Sequence, residues 1–166
     1  MSNLAQFVAT VAYVGHLKPA PGTWGSLAAL PLAYFLHVIG GTAALAAGIV
    51  VFFFLGLWAT PKVTDGKDNH DPSEVVVDEL VGQWIALLPV SIGALHSGAT
   101  LLALWPGWIA AFVLFRLFDI LKPGPVGWAD RSDDAMGVML DDVVAGVFAA
   151  IGVGILAWLA HGVLGV

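Results

Sequence analysis

The eighteen charged residues of this chain, six Lys or Arg and twelve Asp or Glu, are confined to three places. Lys18 stands alone, eight lie between Lys62 and Glu79, and nine lie between Arg116 and Asp142. The intervals 19–61, 80–115 and 143–166 hold 43, 36 and 24 residues without Asp, Glu, Lys or Arg. A helix needs about 20 apolar residues to cross the hydrocarbon core of a bilayer. The first two intervals each accommodate a pair of crossings, and the third accommodates one. With two hairpins and a final single crossing, every charge falls on the same side. The pattern predicts an all-α fold: a polytopic membrane helical bundle of about five membrane-embedded helices, forming one domain over residues 1–166.

Composition agrees. Charged residues make up 11% of the chain and mean hydropathy is +0.91, whereas soluble domains carry about 25% charged residues. There is no cysteine, which removes disulfides, thiolate metal sites and thiol nucleophiles from consideration. The stretch Met1–His16 has no Lys or Arg, so the basic start of a secretory signal is not evident. The net charge of −6 is gathered on one face, which repels nucleic acid and anionic lipid. An anionic ligand at such a face requires an intervening cation, and a divalent metal is the simplest.

Residues 2–17 are mildly apolar and read as a short interfacial helix. The loop Lys18-Pro19-Ala20-Pro21-Gly22-Thr23-Trp24-Gly25-Ser26 follows, its prolines and glycines opposing helix. Residues 26–60 read as a hairpin turning at Gly40-Gly41, with a first arm that is short or re-entrant. Asp71-Pro72-Ser73-Glu74 resembles a capping box and predicts the third helix start there. That helix should reach about Gly93, with a kink at Pro89. His96-Ser97-Gly98 turns the chain, residues 100–118 return, 119–140 form a polar loop, and a last span runs from Asp141 to about Leu164. All six basic residues share the acidic face, and the positive-inside rule places that face in the cytoplasm. The seven Trp mostly lie near span ends and read as interface anchors.

The candidate chemistry lies at the helix starts. Asp78 and Glu79 adjoin at one and Asp141 and Asp142 at another. Two acidic pairs from two helices can converge on a hard cation such as Mg²⁺, which takes oxygen ligands. Asp119 is placed to join them. A single acid at a helix N-terminus would satisfy the macrodipole, so two adjacent pairs ask for a further explanation. Asp142, Gly146, Ala150 and Gly154 recur every fourth residue, a spacing at which small residues allow close helix contact in lipid. Lys18, Thr23, Ser26 and the backbone N–H groups of Gly22 and Gly25 offer an anion cradle before a helix start. Arg116 and Lys122 supply further positive charge, with Asp119 a possible partner of Arg116. His37, His96 and His161 fall near the far surface. His16 and His70 have no partners at metal-ligand spacing.

Four segments carry a family resemblance. They are Lys18–Ser26, Val77-Asp78-Glu79-Leu80-Val81-Gly82-Gln83-Trp84, Phe115-Arg116-Leu117-Phe118-Asp119-Ile120-Leu121-Lys122-Pro123, and Gly137-Val138-Met139-Leu140-Asp141-Asp142-Val143-Val144-Ala145-Gly146. In this order, together with Asp130 in Trp128-Ala129-Asp130-Arg131, they resemble the phosphatidylglycerophosphatase A family over nearly the whole chain. Gly124 departs from the bulkier residue expected there. The resemblance implies a Mg²⁺-dependent hydrolase of the bacterial inner membrane that converts phosphatidylglycerophosphate to phosphatidylglycerol and phosphate. It implies catalytic roles for Asp78, Glu79, Arg116, Asp119, Asp141 and Asp142, with the five acids as metal ligands. It implies phosphate binding by Lys18, Gly22, Thr23, Gly25, Ser26, Lys122 and Asp130.

Other phosphatase patterns are missing: no Asp-x-Asp, no Pro-Ser-Gly-His, and no cysteine. A small transporter or channel subunit passing cations along acidic residues is the alternative, but such proteins place ionisable groups near the bilayer midplane. Oligomeric state is not encoded in any of these patterns. The topology is testable because the chain has no cysteine. Single cysteines at Lys67 and Ser132 should resist an impermeant reagent added outside intact cells, and one at Gly165 should react. Labelling at 67 or 132 would overturn the orientation, and like behaviour of 132 and 165 would overturn the odd crossing number.

Overall fold

The computed structural model describes residues 3–66, 72–129 and 134–162. The described residues are helical, with no strand among them. In chain order they form α1 (Asn3–Ala9), a 3₁₀ turn (Val14–His16), α2 (Pro21–Thr64), α3 (Val77–Ser97), a second 3₁₀ turn (Leu101–Leu104), α4 (Trp105–Leu121), α5 (Pro125–Ala129) and α6 (Ala135–Gly162). Four of the described helical stretches are long and apolar enough to cross a membrane. Their outward faces carry large apolar residues, among them Phe35, Phe54, Ile109 and Trp158. That distribution suits lipid as the outer solvent.

The 44-residue α2 breaks at the expected place. Gly40 and Gly41 leave helical geometry, Gly41 with φ +62°, a conformation open to glycine at little cost. The chain then doubles back. A Cβ added to Gly48 would lie 2.8 Å from Leu36, whereas twelve residues of straight helix span about 18 Å. The tip is tied to α3, where Ser91 Oγ lies 2.7 Å from both His37 Nδ1 and Thr42 Oγ1. His37 thus has a structural role.

The first arm is longer than the sequence reading allowed. It is helical from Pro21, so residues 21–39 extend about 28 Å. Proline is harmless at the first helical position, where its missing N–H has no intrahelical partner. Gly22 and Gly25 are tolerated because neighbours fill their side-chain space. A Cβ on Gly25 would meet Val76 at 2.8 Å.

The start of α3 also differs. Helix begins at Val77, not Pro72, and no side chain caps it. Asp71 lies outside the described residues. Tertiary contact overrides the capping pattern: Val75 and Val76 are buried, and Val76 N–H donates to Ala9 O at 2.8 Å. Pro72 instead opens a turn closed by Val75 N–H. The helix ends at Ser97, past the expected Gly93, with Gly98 left-handed as its stop. α4 likewise continues to Leu121, so Asp119 is helical. The last helix starts at Ala135, earlier than Asp141, because Asp134 Oδ1 accepts the Gly137 N–H at 2.8 Å. That is an N-cap bond to the third helical residue.

The core lies where α3 meets α2 and α6. Trp84 is buried rather than interfacial, and its indole N–H donates to Ala29 O at 2.8 Å. At the centre, α3 and α6 come into backbone contact. A Cβ on Gly146 would lie 2.4 Å from Gly82 O, and one on Gly82 would lie 2.6 Å from Asp142 O. The small-residue stripe therefore works at Gly146. It does not reach Gly154, around which nothing lies within 4 Å. Below Gly146 the packed face continues through Ala149 and Val153, as a 3.6-residue period requires. Gly146→Val should lower stability by about 1–3 kcal/mol through overpacking, whereas Gly154→Val should be near neutral. Thermal unfolding of both variants in detergent checks the contrast.

Candidate functional site

A cavity of about 360 Å³ opens at the polar end of the bundle. Its walls come from the start of α2 (Ala20, Pro21, Gly22), the approach to α3 (Ser73, Val75), Asp78 and Glu79, the end of α4 (Arg116, Asp119, Ile120), Lys122, and Asp141 with Asp142. The five candidate ligands thus line one pocket, although they come from three helices, α3, α4 and α6, spread over sixty-odd residues of sequence.

Helix geometry delivers the acids. Asp78 is one turn before Gly82 and Asp142 one turn before Gly146, so the glycine crossing brings both into register. One carboxylate oxygen from each of Asp78, Glu79 and Asp142 lies within 4.8 Å of the others. Asp78 and Asp142 are buried. Dipole complementation does not account for Asp142, since the effect fades after the first turn and Asp142 lies in the second turn of α6. Three like charges at this spacing repel by about 3–4 kcal/mol per pair at an effective dielectric of about 20. A cation among them relieves that repulsion.

The donor set fits a hard cation. Glu79 Oε2 and Asp142 Oδ1 are buried and, among the described residues, accept no hydrogen bond. Their inner neighbours are occupied locally: Asp78 Oδ1 accepts the Glu79 N–H at 3.0 Å, and Asp141 Oδ1 accepts the Asp142 N–H at 2.9 Å. Asp141 Oδ2 also holds Lys122 Nζ at 2.8 Å. Asp119 Oδ2 holds Arg116 Nη1 at 2.5 Å. All five acids share the pocket, but the tight group is Asp78, Glu79 and Asp142. Asp141 and Asp119 anchor the cations.

The expected phosphate cradle is only partly assembled. Gly22 is in the wall, at the N-terminus of α2, where unpaired N–H groups and the helix dipole favour an anion. A Cβ there would lie 2.2 Å from Glu79 Oε1 and 3.3 Å from Arg116 Nη1. Ser26 is fully buried, donates to Gly22 O at 2.9 Å, and lies 3.4 Å from Arg116 Nη1. It supports Arg116 from behind. Gly25 packs on Val76. Lys18 is exposed and, like Thr23, is not in the wall. Asp130 lies outside the described residues. Sequence reasoning missed Ser73, Val75, Ile120 and the buried Gln83. For Gln83 the signal was present, since a glutamine deep in an apolar span is costly unless it has a partner.

Known proteins are similar to this chain. The family profile described as Phosphatidylglycerophosphatase A matches residues 7–157. A Haemophilus influenzae protein named Phosphatidylglycerophosphatase A is 38% identical over 82% of this chain and 78% of its own length. The Escherichia coli protein of that name is 34% identical over 97% and 86%. A Bacteroides thetaiotaomicron protein, provisionally named a phosphatidylinositol-3-phosphatase, is 41% identical over 84% and 85%. No solved structure matches the chain significantly.

Gly22 yields a test of the wall. Gly22→Ala forces the buried Glu79 carboxylate aside, and misplacement by about 1 Å can cost about 100-fold in turnover. Thr23→Ala keeps its backbone N–H and should stay within a few-fold of wild type. Steady-state assays of both variants, with thermal unfolding to confirm folding, check this difference.

Proposed function

The chain belongs to the phosphatidylglycerophosphatase A family, and from that premise we propose that it removes the terminal phosphomonoester of phosphatidylglycerophosphate at the cytoplasmic face of a bacterial inner membrane. The observation that carries this reading is the close trio of buried Asp78, half-buried Glu79 and buried Asp142 beside Arg116 and Lys122 in one pocket. Carboxylates alone repel a phosphate. Carboxylates that hold a divalent cation, flanked by guanidinium and ammonium groups, attract one.

Asp78, Glu79 and Asp142 would hold the ion, and Mg²⁺ suits their all-oxygen donor set. When bound, it neutralises the site and polarises a phosphoryl oxygen. The chain's own residues do the rest. Arg116, fixed by Asp119 and backed by Ser26, presents a planar donor fork suited to phosphate. Lys122, held by Asp141, supplies a second positive charge in the same pocket. The α2 N-terminus adds backbone donors without side-chain bulk at Gly22. These groups orient the headgroup while its acyl chains stay in the bilayer. The positive-inside rule supports the cytoplasmic placement, and two hairpins plus a final crossing support five spans.

The two names carried by the three relatives both describe phosphomonoesters on lipid headgroups, so substrate choice belongs in the test. Purified protein in nanodiscs should release phosphate from phosphatidylglycerophosphate faster than from phosphatidylinositol 3-phosphate. Chelation should abolish release and Mg²⁺ should restore it. Asp142→Asn, folded by its unfolding profile, should lose at least about 100-fold, the range for removing a major transition-state stabiliser. Normal turnover by Asp142→Asn would remove the trio from the mechanism.

A further inference from the structure

Gln83 sits one turn deeper in α3 than Glu79, and residues four apart share a helix face. Its side chain is fully buried, and neither amide atom has a hydrogen-bond partner among the described residues. A buried donor or acceptor left unmet is destabilising, so an apolar residue would pack there more stably. Glu79 Oε2, one turn nearer the pocket, and Arg116 Nε in the pocket wall are also buried without partners among the described residues. The Glu79 and Arg116 side chains are neighbours, since both border the space beside Gly22. The unmet groups are complementary. Glu79 Oε2 and Gln83 Oε1 accept, while Arg116 Nε–H and the Gln83 amide N–H₂ donate. Internal water makes about three hydrogen bonds to such groups.

We propose that Gln83 is a positioning residue. Through internal water, its amide holds the Glu79 carboxylate and the Arg116 guanidinium in their working orientation from beneath the pocket. Gln83 is not in the pocket wall and does not touch substrate. Its effect passes through Glu79 and Arg116, as outer partners of metal ligands act on affinity and activity by about 10–100-fold. The inference rests on the metal-binding reading proposed above for Glu79.

The test separates positioning from packing by asking for effects of opposite sign. Gln83→Met keeps the shape and removes the polar groups, and Gln83→Leu serves as the second variant. Each is compared with wild type in nanodiscs for thermal unfolding, Mg²⁺ binding by calorimetry without substrate, kcat and KM. Expected are an unchanged or raised unfolding temperature, Mg²⁺ affinity weakened about tenfold or more, kcat lowered about tenfold, and KM nearly constant. Thr60→Val is the control. Thr60 is also fully buried with an unmet hydroxyl, but it lies outside the pocket wall and should leave Mg²⁺ affinity and kcat unchanged. Unaltered Mg²⁺ affinity and kcat in a folded Gln83 variant would overturn the proposal. Failure of both Gln83 variants to fold would also overturn it, assigning the residue to packing. If wild type binds no Mg²⁺, the metal reading fails. The fall in kcat at constant KM then still decides whether Gln83 positions Glu79 and Arg116.

Discussion

The backbone contact between α3 and α6 governs the rest of the molecule. Gly82 and Gly146 touch without side chains between them, so the two helices cross closer than any pair bearing Cβ atoms could. Each glycine sits one turn inside an acidic doublet. The crossing therefore acts as a caliper: it sets the separation of Asp78 and Glu79 from Asp142 at the scale of one cation. In lipid there is no hydrophobic force to hold helices together, and close packing of small residues takes its place. The contact that folds the bundle is the same one that assembles the carboxylates.

Around that crossing, charge is partitioned by partner. Arg116 pairs with Asp119 and Lys122 with Asp141. Burying ions is costly, and opposite charges at hydrogen-bond distance offset the cost. With Asp119 and Asp141 beside them, the two cations are fixed in the wall of the cavity.

Much of this was legible in the sequence. The charge-free intervals gave the long apolar helices, Gly40-Gly41 gave the hairpin tip, and the spacing of Asp142 and Gly146 gave the close contact. Other features were not. Local punctuation misled at Lys18–Ser26 and at Asp71–Glu74. In the first, Pro21 begins the helix instead of preventing it. In the second, burial of Val75 and Val76 against α1 and α2 outweighs a cap worth about 1 kcal/mol. The division of the acids into a close trio and two anchors was equally hidden. It depends on which residues Lys122 and Arg116 reach across the fold, and spacing along the chain carries no such information.

The doublets themselves now have a physical reason. In each, the first acid turns an oxygen onto the N–H of the second. That bond fixes the first carboxylate against its helix and orients the residue that follows. The second acid keeps an oxygen, Glu79 Oε2 or Asp142 Oδ1, that accepts no hydrogen bond from the described residues. A lone acid at either position would have to serve both purposes with one carboxylate. Beside a low-dielectric wall a flexible carboxylate is also a poor ligand, because it must be ordered at the moment of binding. Two acids in sequence add to each other: the first ties one of its oxygens to the backbone, and the second brings an unmet oxygen to the cavity. The same logic extends one turn deeper. Gln83 continues the Glu79 face with further unmet polar atoms, so the polar column of α3 runs from the mouth of the pocket into the apolar interior.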